Sequence, residues 1–171
     1  MAKLYFRYGA MGSSKTANAV MVQYNYRERG QRVLMLKPKI ENRDGATVVR
    51  SRCGLVAQCR YVEELGGIDL TGIDCIIVDE CHFMNAAQVR QLVDIVDERE
   101  IPVICYGLRT DFRGELFEGS RELLRRMAAK DSRVKVILNA NNFGHIRSPY
   151  NALLQADGDA AIAMCSDLQD P

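Results

Sequence analysis

A chain of 171 residues, 47% hydrophobic and 26% charged, has the balance of a soluble globular domain with a sizeable core, which excludes a disordered or fibrous polymer. Its net charge of +1 provides no basic surplus of the kind that binding to nucleic acid or an anionic membrane requires. No apolar run is long enough to span a bilayer and no charged-then-apolar leader opens the chain, so a cytoplasmic protein without membrane or nucleic-acid partners is expected.

The first predicted strand is Leu4-Tyr5-Phe6-Arg7-Tyr8, and the first helix runs through Ala17-Asn18-Ala19-Val20-Met21-Val22-Gln23. Between them stands Gly9-Ala10-Met11-Gly12-Ser13-Ser14-Lys15-Thr16, in the strand–turn–helix context of a phosphate-binding loop. Backbone N–H groups of such a turn converge on an anion, and the helix start adds partial positive charge. Lys15 is then expected to reach the β- and γ-phosphates of a nucleotide, and the Thr16 hydroxyl to bind Mg²⁺. The usual pattern has glycine before the lysine, where this chain has Ser14. If that position needs a positive φ, serine costs on the order of 1 kcal/mol. The plainer alternative is an ordinary strand–helix turn with an exposed lysine.

Gly30 terminates the helix, and Arg32-Val33-Leu34-Met35-Leu36-Lys37 reads as a buried strand stopped by Pro38. A polar turn, residues 40–45, leads into residues 47–54, which read as a strand or a partly ordered loop; residues 55–71 carry little signal. Ile73-Asp74-Cys75-Ile76-Ile77-Val78 predicts a buried strand ending in Asp79-Glu80. Asn85 and Gln88 form a capping box ahead of a helix with Val89, Leu92, Val93 and Val96 on one face. A strand over 101–107, a helix opened by Gly119-Ser120 and running through Leu123, Leu124 and Met127, and a last strand over 133–138 follow. Apolar strands alternating with amphipathic helices predict an α/β fold, a mostly parallel sheet with flanking helices of the P-loop, RecA-like kind. The six cysteines form no C-x-x-C pair, and several lie within apolar strands, which suits reduced, buried thiols better than disulfides or zinc.

Four apolar residues running into Asp79-Glu80 are what a phosphate loop needs as a companion. The aspartate holds Mg²⁺ beside Thr16, and Glu80 is placed to take a proton from a water or a substrate hydroxyl. A solvated acidic strand end is the plainer reading. The residues thus point to phosphoryl transfer or nucleotide hydrolysis and leave the acceptor unnamed.

Val78-Asp79-Glu80-Cys81-His82-Phe83, together with Tyr106-Gly107-Leu108-Arg109-Thr110-Asp111-Phe112-Arg113-Gly114-Glu115-Leu116-Phe117, resembles the bacterial type II thymidine kinases. The likeness extends to the opening strand, Met11, residues 24–30, Ile40-Glu41-Asn42-Arg43 and Ser51-Arg52-Cys53-Gly54-Leu55, covering about residues 1–124 in order. It implies ATP-dependent phosphorylation of the thymidine 5′-hydroxyl with Glu80 as general base. Gly9 to Thr16, Asp79, Glu80, Cys81, His82 and Arg43 are implied on the phosphate side, with Thr16 and Asp79 on Mg²⁺. Met11, Phe83, Leu108, Phe112 and Phe117 are implied as the apolar wall around the nucleoside; without the resemblance, Phe112 and Phe117 would be read as core. A homotetramer and feedback inhibition by thymidine triphosphate are implied as well.

The chain departs from this family at Ser14, at His82 where glutamine is usual, at Glu41 where aspartate is usual, and from Arg125 onward. There the family carries a structural zinc on four cysteine or histidine ligands and a loop that closes over the base. His145 and Cys165 are the candidate ligands here, too few for a closed site, so no zinc set is identified. Residues 1–138 are expected to form the kinase domain and 139–171 an atypical tail. Two alternatives stand beside the kinase: a catalytically impaired nucleotide-binding core of the same descent, and a helicase-type ATPase suggested by the D-E-x-H spelling of Asp79-Glu80-Cys81-His82.

Overall fold

The apolar runs assemble into one parallel sheet. In the computed structural model, which describes residues 2–43, 45 and 47–130, the strands are β1 (Leu4–Tyr8), β2 (Val33–Lys37), β3 (Val48–Arg50), β4 (Val56–Gln58), β5 (Arg60–Tyr61), β6 (Cys75–Val78) and β7 (Val103–Gly107). Five of them form a sheet in the order β1-β7-β6-β2-β5, and every pairing is parallel. β3 and β4 make a separate antiparallel hairpin. The helices are α1 (Lys15–Glu28), α2 (Ala86–Glu98) and α3 (Glu118–Lys130).

Both faces of the sheet are covered, which explains why β6 and β7 are apolar at every position rather than alternating. Ile76, Val78, Val103 and Cys105 pack with Val89, Leu92 and Val96 of α2 and Leu123 of α3. Cys75, Ile77, Ile104 and Tyr106 face the other way, against Ala19 and Val20 of α1 and Val49 and Ala57 of the hairpin. Fully burying one such aliphatic side chain stabilises the fold by about 1.5–3 kcal/mol.

The local signals explain the element ends. Asn85 accepts from the Gln88 N–H at 2.9 Å and Gln88 accepts from the Asn85 N–H at 2.9 Å, the predicted capping box. Gly30, with φ 73°, follows the end of α1 and donates to the Arg27 carbonyl. α3 starts at Glu118, one residue ahead of the predicted Gly119-Ser120, and the Glu118 carboxylate accepts from the Ala86 N–H at 2.9 Å, tying the starts of α2 and α3 together. Residues 47–54 do contain a strand, and 55–71 resolve into β4, β5 and a 3₁₀ turn over Val62–Gly67. The expected strand over 133–138 and the tail from 139 lie outside the described residues. Among the described residues, no helix is long and apolar enough to cross a membrane, and Cys59, Cys75, Cys81 and Cys105 are buried free thiols while Cys53 is exposed.

Candidate active site

The carboxyl ends of β1, β7, β6 and β2 open on the same edge of the sheet, where ligands of parallel α/β folds bind. β1 runs into the loop 9–14, whose backbone turns at Gly12 (φ 86°) and again at Ser14 (φ 54°) before α1 begins at Lys15. A positive φ is required at the position where glycine is usual, and serine occupies it with no side-chain capping bond. The Lys15 ammonium curls back over the loop, donating to the carbonyls of Gly9 (3.1 Å) and Ala10 (2.6 Å) and to Ser13 Oγ (3.2 Å). Ser13 Oγ in turn donates to the Ala10 carbonyl at 2.8 Å.

β6 delivers the carboxylates. Asp79 is 3% exposed, and its N–H donates to the Leu36 carbonyl at 2.9 Å, which fixes the strand end against β2. Burial raises the Asp79 carboxyl above the ordinary range, opposed by bonds from the Thr16 hydroxyl and the Glu80 N–H. Glu80 turns the chain with φ 50° and is also raised, by burial first and then by Asp79, with Arg43 and Lys15 opposing. Lys15 is lowered by burial, while Glu80 and Asp79 pull the other way. Lysine and both carboxylates therefore lie within one another's electrostatic reach.

Arg43, in the loop after β2, bridges two acids: Nε donates to Glu41 Oε1 at 2.8 Å and a terminal nitrogen to Glu80 Oε1 at 3.3 Å. Burial alone would raise Glu41, but the side-chain and backbone bonds from Arg43 outweigh it and lower the carboxyl. The loop is anchored from below by Lys37, 1% exposed, whose ammonium donates to the carbonyls of Gly45 (2.6 Å) and Val48 (2.8 Å). Nothing in the sequence marks this lysine beyond its place at an apolar strand end.

The remaining residues sort by depth. Cys81 is in the hydrophobic core. His82 is buried, with its ring 4.0 Å from Phe83 and 4.6 Å from Phe117 between centroids, and Phe83 meets Phe117 edge-on at 5.9 Å. Its Nδ1 accepts the Leu108 N–H at 3.2 Å. An accepting nitrogen carries no proton, so the ring is neutral, in keeping with burial lowering its pKa to about 4. The 3.5 Å approach of Nδ1 to Glu80 Oε2 is accordingly a close contact and not an ion pair. Phe112 is 88% exposed and Met11 72% exposed, so neither is core. A groove of about 510 Å³ lies at the opposite end of the sheet, between Leu65, Ile68 and Leu70 and the end of α2, and none of the candidate site residues lines it. Among the described residues, no group of three or more His, Cys, Asp or Glu side chains is arranged to hold a metal. His145 and Cys165 lie outside them.

The family model for thymidine kinase matches residues 2–140. This chain belongs to the thymidine kinase family. It is similar to a thymidine kinase of Xanthomonas oryzae pv. oryzae, at 50% identity over 72% of this chain and 64% of that protein. The corresponding figures are 46%, 72% and 67% for a thymidine kinase of Yersinia pestis. For one of Escherichia coli O157:H7 they are 43%, 72% and 64%. The chain thus spans somewhat less than two thirds of the length of the Xanthomonas and Escherichia relatives. The matched region contains every described residue of the candidate site.

Two features of that site went unmarked in the sequence. Ser120 appears there only as a helix opener, yet its hydroxyl donates to the Leu108 carbonyl at 2.6 Å. Gly107 is unremarkable at a strand end, yet a Cβ there would meet Cys81 Sγ at 2.7 Å and His82 Nδ1 at 3.2 Å.

Proposed function

We propose that this chain phosphorylates the 5′-hydroxyl of thymidine at the expense of MgATP, with Glu80 accepting the hydroxyl proton. The observation that carries the proposal is the grouping of Lys15, Asp79 and Glu80 at one sheet edge in a member of this family. The side chains suit the ligands. The Lys15 ammonium rests on loop carbonyls it can exchange for phosphate oxygens. Beyond Gly12 there is open space, so an anion can approach the turn. Thr16 and Asp79 are hard oxygen donors of the kind Mg²⁺ takes.

MgATP, when bound, supplies the phosphoryl group that moves from the β-phosphate oxygen to the nucleoside oxygen. Lys15 and the loop N–H groups would bind the phosphates, and Thr16 with Asp79 would hold the metal ion. Glu80, kept partly desolvated and beside Arg43, takes the 5′-hydroxyl proton as the new O–P bond forms. Phe83, Phe117 and Leu108 wall the base, and the exposed Met11 and Phe112 become covered once a nucleoside is present.

The deciding experiment is transfer of labelled γ-phosphate from MgATP to thymidine by the full chain, beside a Glu80→Gln variant. The wild type should transfer, and the variant should be slower by about 10²–10⁴-fold with MgATP binding intact. Binding of MgATP without transfer by the wild type would establish an inactive nucleotide-binding core instead.

A further inference from the structure

The peptide groups of Leu108 are held from both sides by side chains of two other elements. His82 Nδ1, from the 3₁₀ turn Cys81–Phe83 after β6, accepts the Leu108 N–H at 3.2 Å. Ser120 Oγ, from the first turn of α3, donates to the Leu108 carbonyl at 2.6 Å. Both residues are buried, His82 to 2% exposure and Ser120 to 0%, so neither bond is made good by water if it is lost. The strand end leading into Leu108 has little slack, because a Cβ at Gly107 would meet Cys81 Sγ at 2.7 Å and the His82 backbone nitrogen at 3.1 Å.

The same histidine ring is the surface against which the aromatic wall rests. It meets Phe83 and Phe117 at centroid distances of 4.0 and 4.6 Å, closer than those two rings are to each other. Leu108, Phe83 and Phe117 therefore share one buried polar support, although none of them is polar.

We propose that His82 and Ser120 act as a two-sided clamp on the Leu108 backbone and, as positioning residues, set the affinity for a flat pyrimidine nucleoside. The inference rests on the proposed thymidine site. The Lys15 ammonium bonds to Gly9, Ala10 and Ser13 and to neither clamp residue, so nucleotide affinity is expected to depend on the clamp far less than nucleoside affinity does. Glutamine at position 82 supplies a carbonyl oxygen that can accept the Leu108 N–H, whereas phenylalanine keeps a ring and supplies no acceptor.

The test uses full-length wild type, His82→Phe, Ser120→Ala and His82→Gln. Thymidine and MgATP binding are measured by calorimetry, KM and kcat by steady-state transfer, and folding by thermal melting. His82→Phe and Ser120→Ala are each expected to weaken thymidine binding and raise its KM by about five- to tenfold, the loss of one buried hydrogen bond. MgATP affinity and kcat should move by less than twofold, and His82→Gln should lie within about twofold of wild type for thymidine. Folded variants with unchanged thymidine affinity would overturn the clamp. So would an equal loss of MgATP affinity, which marks general loosening, or a fall in kcat alone, which marks an effect through Glu80. A wild type that binds MgATP but no thymidine would overturn the proposed function, and the clamp with it; wild-type binding with unaffected variants would overturn the clamp alone.

Discussion

Ser14 and Glu80 share a backbone conformation that L side chains rarely adopt: φ is 54° at the first and 50° at the second, and both turns face the same sheet edge. At Glu80 the strained turn presents a carboxylate at the mouth of the site. At Ser14 the side chain is exposed and makes no capping bond, so nothing local offsets the strain.

Ser14→Gly should therefore stabilise the protein by about 0.5–1 kcal/mol, the relief of left-handed strain less the entropy of a freer unfolded chain. Urea denaturation of the two proteins decides it. Equal or lower stability of the glycine variant would mean that the serine hydroxyl makes a compensating bond in solution.

Glycines 107 and 119 should tolerate alanine unequally. At Gly107 a new Cβ meets first a side chain, the Cys81 sulfur at 2.7 Å, and then the His82 backbone nitrogen at 3.1 Å. At Gly119 it meets the backbone carbonyls of Cys81, Met84 and His82, which have none. Gly119→Ala is expected to cost at least about 2–3 kcal/mol and Gly107→Ala clearly less. Adding Cys81→Ala should recover part of the Gly107→Ala loss and none of the Gly119→Ala loss, as read from chemical denaturation of the single and double variants.

Lys37 offers a different kind of test. It is buried, and its ammonium is satisfied by two carbonyls, that of Gly45 in the loop before β3 and that of Val48 at the start of β3. Lys37→Met keeps the volume but orphans both acceptors, which should cost about 2–3 kcal/mol. The loop carrying Arg43 should also become more open to proteolysis. Wild-type resistance to a protease that cleaves between residues 41 and 47 would show that the loop is held by something else.

Burial brings the His82 pKa down to about 4 from an ordinary 6.5. Between those values the unfolded chain binds a proton that the folded chain does not, so this histidine makes stability fall as pH drops from about 6.5 to about 4. The effect is on the order of 3 kcal/mol or less. Other carboxyl groups titrate in the same window, so the quantity to measure is the difference between wild type and His82→Gln. That difference should change with pH in this range and be flat above about pH 7.5; a difference flat throughout would mean the histidine titrates alike in the folded and the unfolded chain.

Strong local patterns made most of the frame readable. The apolar run before Asp79, the capping box at Asn85 and the small-residue turn before Lys15 each depend on residues a few positions apart, and each stands where the spacing put it. What stayed hidden depends on distance along the chain. His82 and Leu108 are 26 positions apart, and Lys37 and Val48 are 11, so their bonds exist only once the sheet has ordered the loops. β3 and β4 have three residues each and β5 two, too short for a period to show. The loop before Lys15 illustrates the mixture: its boundaries are legible in the sequence, but whether Ser14 takes a positive φ is decided only by the fold.

The strand order has a consequence for the order in which the protein can be made. Among the described residues β1 pairs with β7 alone, joining Leu4 to Val103 and Tyr8 to Gly107. A ribosome working from the amino end releases β1 and the loop after it long before residues 103–107 emerge. Until then the lysine-bearing turn has no neighbouring strand to hold it, and α1 has only part of the surface it will cover. The segment made first is thus fixed among the last, so a nascent chain halted before residue 107 should carry this loop without its native shape.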